Sequence, residues 1–293
     1  MESKAQSRKR RILAVLAHPD DETFGMGGTL ALYASQGVEV FLVCATRGEA
    51  GEVDASFKEK FQSAACLRTQ ELKCAAEILG IREVIYLNYR DSGMPGSPEN
   101  QHPNALAAQP VRAVAEKIAH IIRRLKPEVI LTFDPIGGYR HPDHIAVHQA
   151  TVMAFDLAAQ PGSFADPENL PAFKAERLFF HIINRTFLKA SILTLRLLRQ
   201  DPRQFGKNKD IDLLSIAEQD FSTHVHVNYA PVAKLQAQAA ACHASQGGGK
   251  MNKGLRGLIN ALFVRKVDQF MQAYPAVEGK SACKRDLFTG LNP

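Results

Sequence analysis

The chain has 293 residues, of which 45% are hydrophobic and 23% are charged, a balance typical of globular proteins. Such a length fits one large α/β domain or one domain with an appended lobe. No run of 18 apolar residues occurs, so we expect no transmembrane segment. The apolar run 12–17 is too short for the core of a signal peptide, and we therefore expect a cytoplasmic protein.

The net charge is +6, and four consecutive basic residues from Arg8 to Arg11 supply much of the excess. We expect residues 1–11 to form a flexible basic tail ahead of a single domain at 12–293. A basic tail can bind nucleic acid, but no nucleic-acid motif accompanies this one. The sequence therefore predicts no nucleic-acid partner.

The chain contains five cysteines, an odd number, and they form no Cys-x-x-Cys pair: Cys44, Cys66, Cys74, Cys242 and Cys283. This pattern argues against a disulfide scaffold and against a zinc site made of cysteines. We interpret the cysteines as buried or incidental thiols.

Strand and helix patterns alternate through the first 157 residues. Apolar runs predict strands at 12–17, 38–45, 83–87 and 128–133. Periodic segments between them predict helices at 25–36, 67–79 and 111–125. Strands that alternate with helices indicate an α/β fold with a Rossmann-like parallel sheet sandwiched by helices.

The pattern loosens at 158–293, which we predict to be a less regular C-terminal lobe of the same domain. Helices are expected at 189–199 and 232–245, and a strand at 223–228. Residues 255–274 fit a basic amphipathic helix that packs on the body of the protein or on a partner chain, with a membrane surface as the alternative. The sequence thus leaves a homo-oligomer open.

Polar clusters follow each of the four predicted strands, at 18–22, 46–52, 88–93 and 134–144. In a parallel sheet the carboxyl ends of the strands meet at one edge, and ligands bind there. We therefore expect the four clusters to gather at a single site.

Two of these clusters carry potential metal ligands. His18-Pro-Asp-Asp-Glu22 follows the first strand, and His141-Pro-Asp-His144 follows the fourth. Either cluster alone could be a turn or a helix cap. Together they offer two histidines and a carboxylate, which leave one coordination position open, as a catalytic zinc site requires. The same trio also suits Fe(II) or another divalent metal.

The motifs in combination resemble the LmbE-like, or PIG-L, family of metal-dependent N-acetylglucosaminide deacetylases, and within it the bacterial branch of mycothiol and bacillithiol synthesis. The resemblance lies in AHPDDE at 17–22, GE at 48–49, RDSGM at 90–94 and HPDH at 141–144, with a weaker echo in HASQ at 243–246. It implies a zinc-dependent hydrolase that removes the acetyl group from an N-acetyl-sugar conjugate, a small molecule.

The resemblance also implies a role for each motif residue. The metal ligands would be His18, Asp21 and His144. Asp20 would be the general base, and Asp143 would orient a histidine. His141 would stabilise the oxyanion as a cationic imidazole, with help from Tyr139.

Three further residues are implied as contacts to the sugar: Arg68, Asp91 and Glu49. Each has a local alternative: an ion pair of Arg68 with Glu71, an Asx-turn at Asp91 and a solvated loop charge at Glu49. We expect Arg68 and Asp91 to act mainly on KM. Glu22 could support the metal site or simply cap the following helix.

Three other functions fit parts of the sequence. Glycines at 25–28 follow a strand, as in a Rossmann-type nucleotide-binding protein without hydrolase activity, although they do not fit G-x-G-x-x-G. A sugar-binding protein without catalysis is a second alternative. The third is an amidase that acts on a thiol-sugar conjugate.

Overall fold

The computed structural model describes residues 9–51, 53, 57, 61–206, 209, 211–251, 266–277 and 282–291. Its centre is a seven-stranded sheet in the order β3-β2-β1-β4-β5-β7-β6. The strands are β1 (Arg11–Leu16), β2 (Glu39–Cys44), β3 (Ile81–Tyr86), β4 (Val129–Phe133), β5 (Arg177–Ile182), β6 (Val225–Asn228) and β7 (Val267–Tyr274).

The first five strands are parallel to one another, whereas β7 runs antiparallel to both β5 and β6. Strands β1 and β4 lie side by side and are almost wholly buried, because their sequences are continuously apolar. The strand order reverses between β1 and β4, because β2 and β3 lie beyond β1 and β5 lies beyond β4. A sheet of this kind binds its ligands at that switch point, beyond the carboxyl ends of β1 and β4.

Helices cover the sheet and pack its apolar core. They are α1 (Asp21–Ser35), α2 (Ala64–Leu79), α3 (Val111–Leu125), α4 (Pro142–Ala159), α5 (Arg185–Leu197), α6 (Leu213–Ala217) and α7 (Ala233–Cys242). Helix α2 begins where Ser63 accepts a hydrogen bond from the backbone N–H of Cys66, and it ends at Gly80 in a left-handed conformation. The α/β fold with a Rossmann-like half is therefore confirmed.

The C-terminal part of the sheet differs from the prediction. Strand β5 was not predicted, and β7 lies where the amphipathic helix was expected, so that prediction is wrong for 267–274. Residues 255–265 of the expected helix lie outside the described residues. Phe270 is fully buried in β7, and the strand hydrogen-bonds to β5 and β6 on its two sides. Backbone pairing with two neighbouring strands outweighs a helical pattern that covers only a few turns.

Arg11 is part of the sheet and not of a flexible tail. Its backbone N–H donates to Glu128 at 2.7 Å, and its guanidinium donates to Glu39 and to the carbonyl of Leu125. Residues 1–8 of the expected tail lie outside the described residues.

Among the residues that the structure describes, no helix is both long enough and apolar enough to cross a membrane. The cytoplasmic location stays a prediction.

The cysteine prediction is wrong at two positions. Cys74 in α2 and Cys242 at the end of α7 form a disulfide, with Cα atoms 5.9 Å apart and 168 residues of separation along the chain. Helices α2 and α7 pack side by side, which brings together two cysteines that no local spacing pattern relates. Cys44, Cys66 and Cys283 are free.

This pairing can be tested by counting thiols. Protein that is denatured without a reductant should react with a thiol reagent at three cysteines, and at five after reduction, because Cys74 and Cys242 are tied to each other. Five reactive thiols before reduction would contradict the pairing.

Candidate active site

The structure brings the four predicted polar clusters together at the carboxyl edge of the sheet. His18 follows β1, and His141 and His144 follow β4. The loop after β2 reaches the site through Glu49, and the loop after β3 reaches it through Asp91. These contacts confirm the prediction that the four clusters gather at one edge of the sheet.

Three residues from the two histidine-bearing clusters turn their ligand atoms toward one another. His18 Nδ1 lies 3.2 Å from His144 Nε2, and the two oxygens of Asp21 lie 3.5 Å from the first nitrogen and 3.2 Å from the second. Asp21 is fixed by its own turn, since its Oδ2 accepts the backbone N–H groups of Ala17 and His18. The carboxylate therefore straddles the two imidazoles.

This spacing fits a zinc ion. Ligands at about 2.0–2.1 Å from a tetrahedral zinc lie about 3.4 Å from one another. Two further sets of ligand atoms in the described residues also lie within 4.8 Å of one another: His18, His141 and His144, and His18, Asp91 and Asp143. His18 belongs to every set, but only one of its nitrogens can face the ion.

The second nitrogen of His18 is held by carboxylates. Nε2 lies 3.1 Å from Asp143 and 3.4 Å from Asp91. Asp143 is fully buried and accepts hydrogen bonds from both the backbone N–H and the hydroxyl of Ser92. A carboxylate on the remote nitrogen of a metal-binding histidine fixes the ring and its tautomer. Ser92 was missed as a support, although it lies in the RDSGM motif.

The electrostatics of the site favour a positive charge at its centre. Burial alone would lower the pKa of His18, but Asp91, Asp143 and Asp21 together raise it well above its usual value. Burial would raise the pKa of Asp21, but His144 and His18 hold it well below its usual range. A cation placed between these groups would be stabilised by the same carboxylates.

Asp20 lies beside this centre with its backbone in the left-handed region, at φ 120° and ψ −28°. A side chain other than glycine adopts such a conformation at a cost of about 1–3 kcal/mol and only where its surroundings enforce it. Burial raises the pKa of Asp20 to about 6, against the positive charge of Arg68, which lowers it. Asp20 is thus a half-buried carboxylate whose basicity lies close to neutral pH.

Arg68 is buried and binds three groups around the site. It donates to Asp20 Oδ2 at 3.1 Å, to the carbonyl of Pro19 at 2.7 Å and to the carbonyl of Gly48 at 3.0 Å. The alternative ion pair with Glu71 does not form, because Glu71 binds the backbone and hydroxyl of Ser245. Because Arg68 contacts Asp20 directly, we now expect its replacement to affect kcat as well as KM.

Asp91 and Glu49 lock two loops together. The backbone N–H of Asp91 donates to Glu49 at 3.1 Å, and the Asp91 carboxylate accepts the N–H groups of Ala50 and Gly93. The bond to Gly93 is the Asx-turn that the sequence offered as an alternative. Asp91 also reaches His18, so the turn and the site share one carboxylate.

His141 caps helix α4, and its Nδ1 accepts the backbone N–H of Asp143. That bond leaves the ring proton on Nε2. Burial and the charges of His18 and His144 lower the pKa of His141 to about 2, so we expect a neutral N–H donor and not the cationic imidazole predicted from the sequence. The ring of Tyr139 packs edge-on against His141 and His144.

Glu22 is more than a helix cap, because it is fully buried and binds His243 from the C-terminal half of the chain at 2.7 Å. His243 was only a weak candidate in the sequence. His148, one helical turn after His144, binds the carbonyl of Phe133.

The fold and the site together define a hydrolase that cleaves amide bonds. The chain belongs to the PIG-L family: the family model described as GlcNAc-PI de-N-acetylase matches residues 13–155. It is 38% identical over 233 residues to 1D-myo-inositol 2-acetamido-2-deoxy-alpha-D-glucopyranoside deacetylase 2 of Catenulispora acidiphila. The aligned residues cover 75% of this chain and 74% of that protein.

Solved structures share the fold at lower identity. N,N'-diacetylchitobiose deacetylase from Pyrococcus horikoshii has a TM-score of 0.60 at 22% identity and covers 90% of this chain and 83% of its own. The 4-carboxy-2-hydroxymuconate hydratase from Pseudomonas putida KT2440 also has a TM-score of 0.60, at 19% identity, and covers 93% of this chain and 100% of its own. The fold alone therefore does not fix the reaction.

The alternative of a nucleotide-binding protein without hydrolase activity does not hold for a member of this hydrolase family. Of the glycines that suggested it, Gly28 serves packing, since a Cβ atom there would overlap the ring of Tyr229. Gly28 leaves that face of α1 free for a neighbouring side chain, with no phosphate required.

The position of the Arg68 side chain can be tested by a matched pair of glycine substitutions. Gly48 and Gly37 both have positive φ, 68° and 85°, but a Cβ atom at Gly48 would overlap the Arg68 guanidinium, whereas one at Gly37 meets nothing within 4 Å. Chemical denaturation should show that Gly48→Ala lowers the free energy of unfolding by about 1–3 kcal/mol more than Gly37→Ala. Equal losses would show that Arg68 can move aside freely.

Proposed function

We propose that this protein is a zinc-dependent N-deacetylase that removes the acetyl group from an N-acetylglucosaminyl conjugate. The observation that carries the proposal is the set of three residues whose ligand atoms lie 3.2–3.5 Å apart, with the half-buried carboxylate of Asp20 beside them. The family and the relatives named as deacetylases support the same reaction class.

His18, Asp21 and His144 would hold the metal. Zinc, when bound, supplies polarisation of the acetyl carbonyl and lowers the pKa of water. Fe(II) suits the same ligands, and the donor set does not separate the two ions. Asp143 and Ser92 keep the His18 ring in the orientation that ligation needs.

Asp20 would act as general base and then as general acid. Its carboxylate takes the proton of the attacking water and returns it to the amine nitrogen as the C–N bond breaks. A pKa of about 6 lets the same group accept and release that proton near neutral pH. Arg68 holds the carboxylate in place at 3.1 Å.

His141 would donate its Nε2–H to the oxyanion that develops on the acetyl oxygen. A neutral donor suffices, because donors that are already oriented cost no reorganisation when charge develops. Tyr139 stays protonated, since burial raises its pKa, and it would supply a second donor.

The substrate would be a 2-acetamido-2-deoxy-glucopyranoside, with the inositol conjugate that names the relatives as the first choice. Arg68, Asp91 and Glu49 would meet the sugar hydroxyls. A cleft of about 710 Å³ adjoins Glu49 and is lined further on by Phe61 and Leu67, which gives room for a group beyond the sugar. An amidase acting on a thiol-sugar conjugate would use the same machinery.

The role of Asp20 is tested by Asp20→Asn. Asparagine keeps the shape but cannot accept the proton, so we expect release of acetate from N-acetylglucosaminyl-inositol to fall by about 10²–10⁴-fold in kcat. Zinc content, measured by elemental analysis, should stay near one per chain. Normal kcat in the metal-loaded variant would overturn the mechanism, and loss of zinc would make Asp20 a ligand.

The ligand set is tested by His144→Ala, with His148→Ala as its control on the same helix. His144 Nε2 is a predicted ligand, whereas His148 binds a backbone carbonyl. After dialysis, His144→Ala should have lost most of its zinc, while His148→Ala should retain it. Equal zinc in the two variants would contradict the assignment.

A further inference from the structure

We propose that His243 is a positioning residue for the general base, acting through Glu22 on the backbone of Asp20. The inference rests on the proposed function and adds to it a residue from the far end of the chain. It is carried by a continuous set of hydrogen bonds that joins the three residues.

The bonds run from side chain to backbone. His243 Nε2 donates to Glu22 Oε1 at 2.7 Å, and the backbone N–H of Asp20 donates to Glu22 Oε2 at 2.9 Å. Glu22 and His243 are both fully buried. In the described part of the chain, His243 Nδ1 has no hydrogen-bond partner, so this ring is held by Glu22.

The Asp20 backbone needs such a hold. Its φ of 120° is a conformation that a residue with a side chain leaves when nothing enforces it. That conformation turns Asp20 toward Arg68 while Asp21 faces His18 and His144. Glu22 enforces it by accepting the amide of Asp20, and His243 enforces the position of Glu22.

The segment that carries His243 is itself clamped to helix α2. Cys242 is bonded to Cys74, and Glu71 accepts both the backbone N–H and the hydroxyl of Ser245. These two attachments flank His243 in sequence. They turn a residue of the C-terminal half into a fixed support for the start of α1.

The first experiment compares His243→Phe with His224→Phe. Phenylalanine keeps the ring but cannot donate to Glu22, whereas His224 accepts a backbone N–H of Gln272 in the outer part of the sheet. We expect His243→Phe to lose about 10–100-fold in kcat, as other residues behind an active-site group do, with KM and zinc content unchanged. His224→Phe should keep the wild-type kcat.

The second experiment asks whether the effect passes through Asp20. In an Asp20→Asn background, His243→Phe should cause no further loss of kcat, because there is no base left to position. His243→Gln, which retains an N–H donor, should recover part of the loss and also serves if the phenylalanine variant does not fold. Independent, multiplying losses would show a general structural role and overturn the inference.

The wild-type enzyme separates the two proposals. Acetate release from N-acetylglucosaminyl-inositol tests the proposed function, and an inactive, zinc-loaded wild type would overturn both. An active wild type with an equally active His243→Phe variant would overturn the inference alone.

Discussion

Two consecutive carboxylates have to point in different directions, and the site depends on this. Asp21 faces the two imidazoles, while Asp20 turns toward Arg68. Consecutive side chains of a strand point to opposite faces, but this division has to occur at a helix start, because Asp21 is already the first residue of α1. The left-handed backbone at Asp20 solves the problem, and its carbonyl still accepts the first hydrogen bonds of α1.

Helix α2 supplies much of what holds that conformation. Arg68, Glu71 and Cys74 follow one another at intervals of three residues, close to one helical turn, and so lie along one side of the helix. Arg68 holds the Asp20 carboxylate, and the other two hold the segment that delivers His243. A helix with no predicted catalytic residue thus holds Asp20, the proposed base, through both its side chain and its backbone.

The buried charges of the site are stable because each has partners. Arg68 is paired with Asp20 and bound to two carbonyls, and Asp143 accepts from Ser92 while it holds His18. An isolated charge at such depth would be costly. The loops after β1, β2, β3 and β4 are therefore tied to one another by the same groups that form the site.

The sequence predicted the half of the fold that contains continuous apolar strands and the residues that lie directly after them. Helix α3 was placed at its observed bounds, and the site residues met because parallel strands end at one edge. Strands β5 and β7 escaped prediction because polar residues interrupt their apolar runs, and the segment of β7 also fits a helical period. The Glu22–His243 bond spans 221 residues, and nothing near either residue marks the other.

The bond between Cys74 and Cys242 places some segments of the chain inside a covalent ring and others outside it, although the sheet joins them all. It closes a covalent ring that contains β3, β4, β5 and β6, together with His141 and His144, while His18, Asp20 and Asp21 lie outside it. A protease that cuts once in the surface loop at 160–173 would open this ring without separating the pieces. His243 would then remain part of the same covalent molecule as Asp20 and Glu22 until the disulfide is reduced.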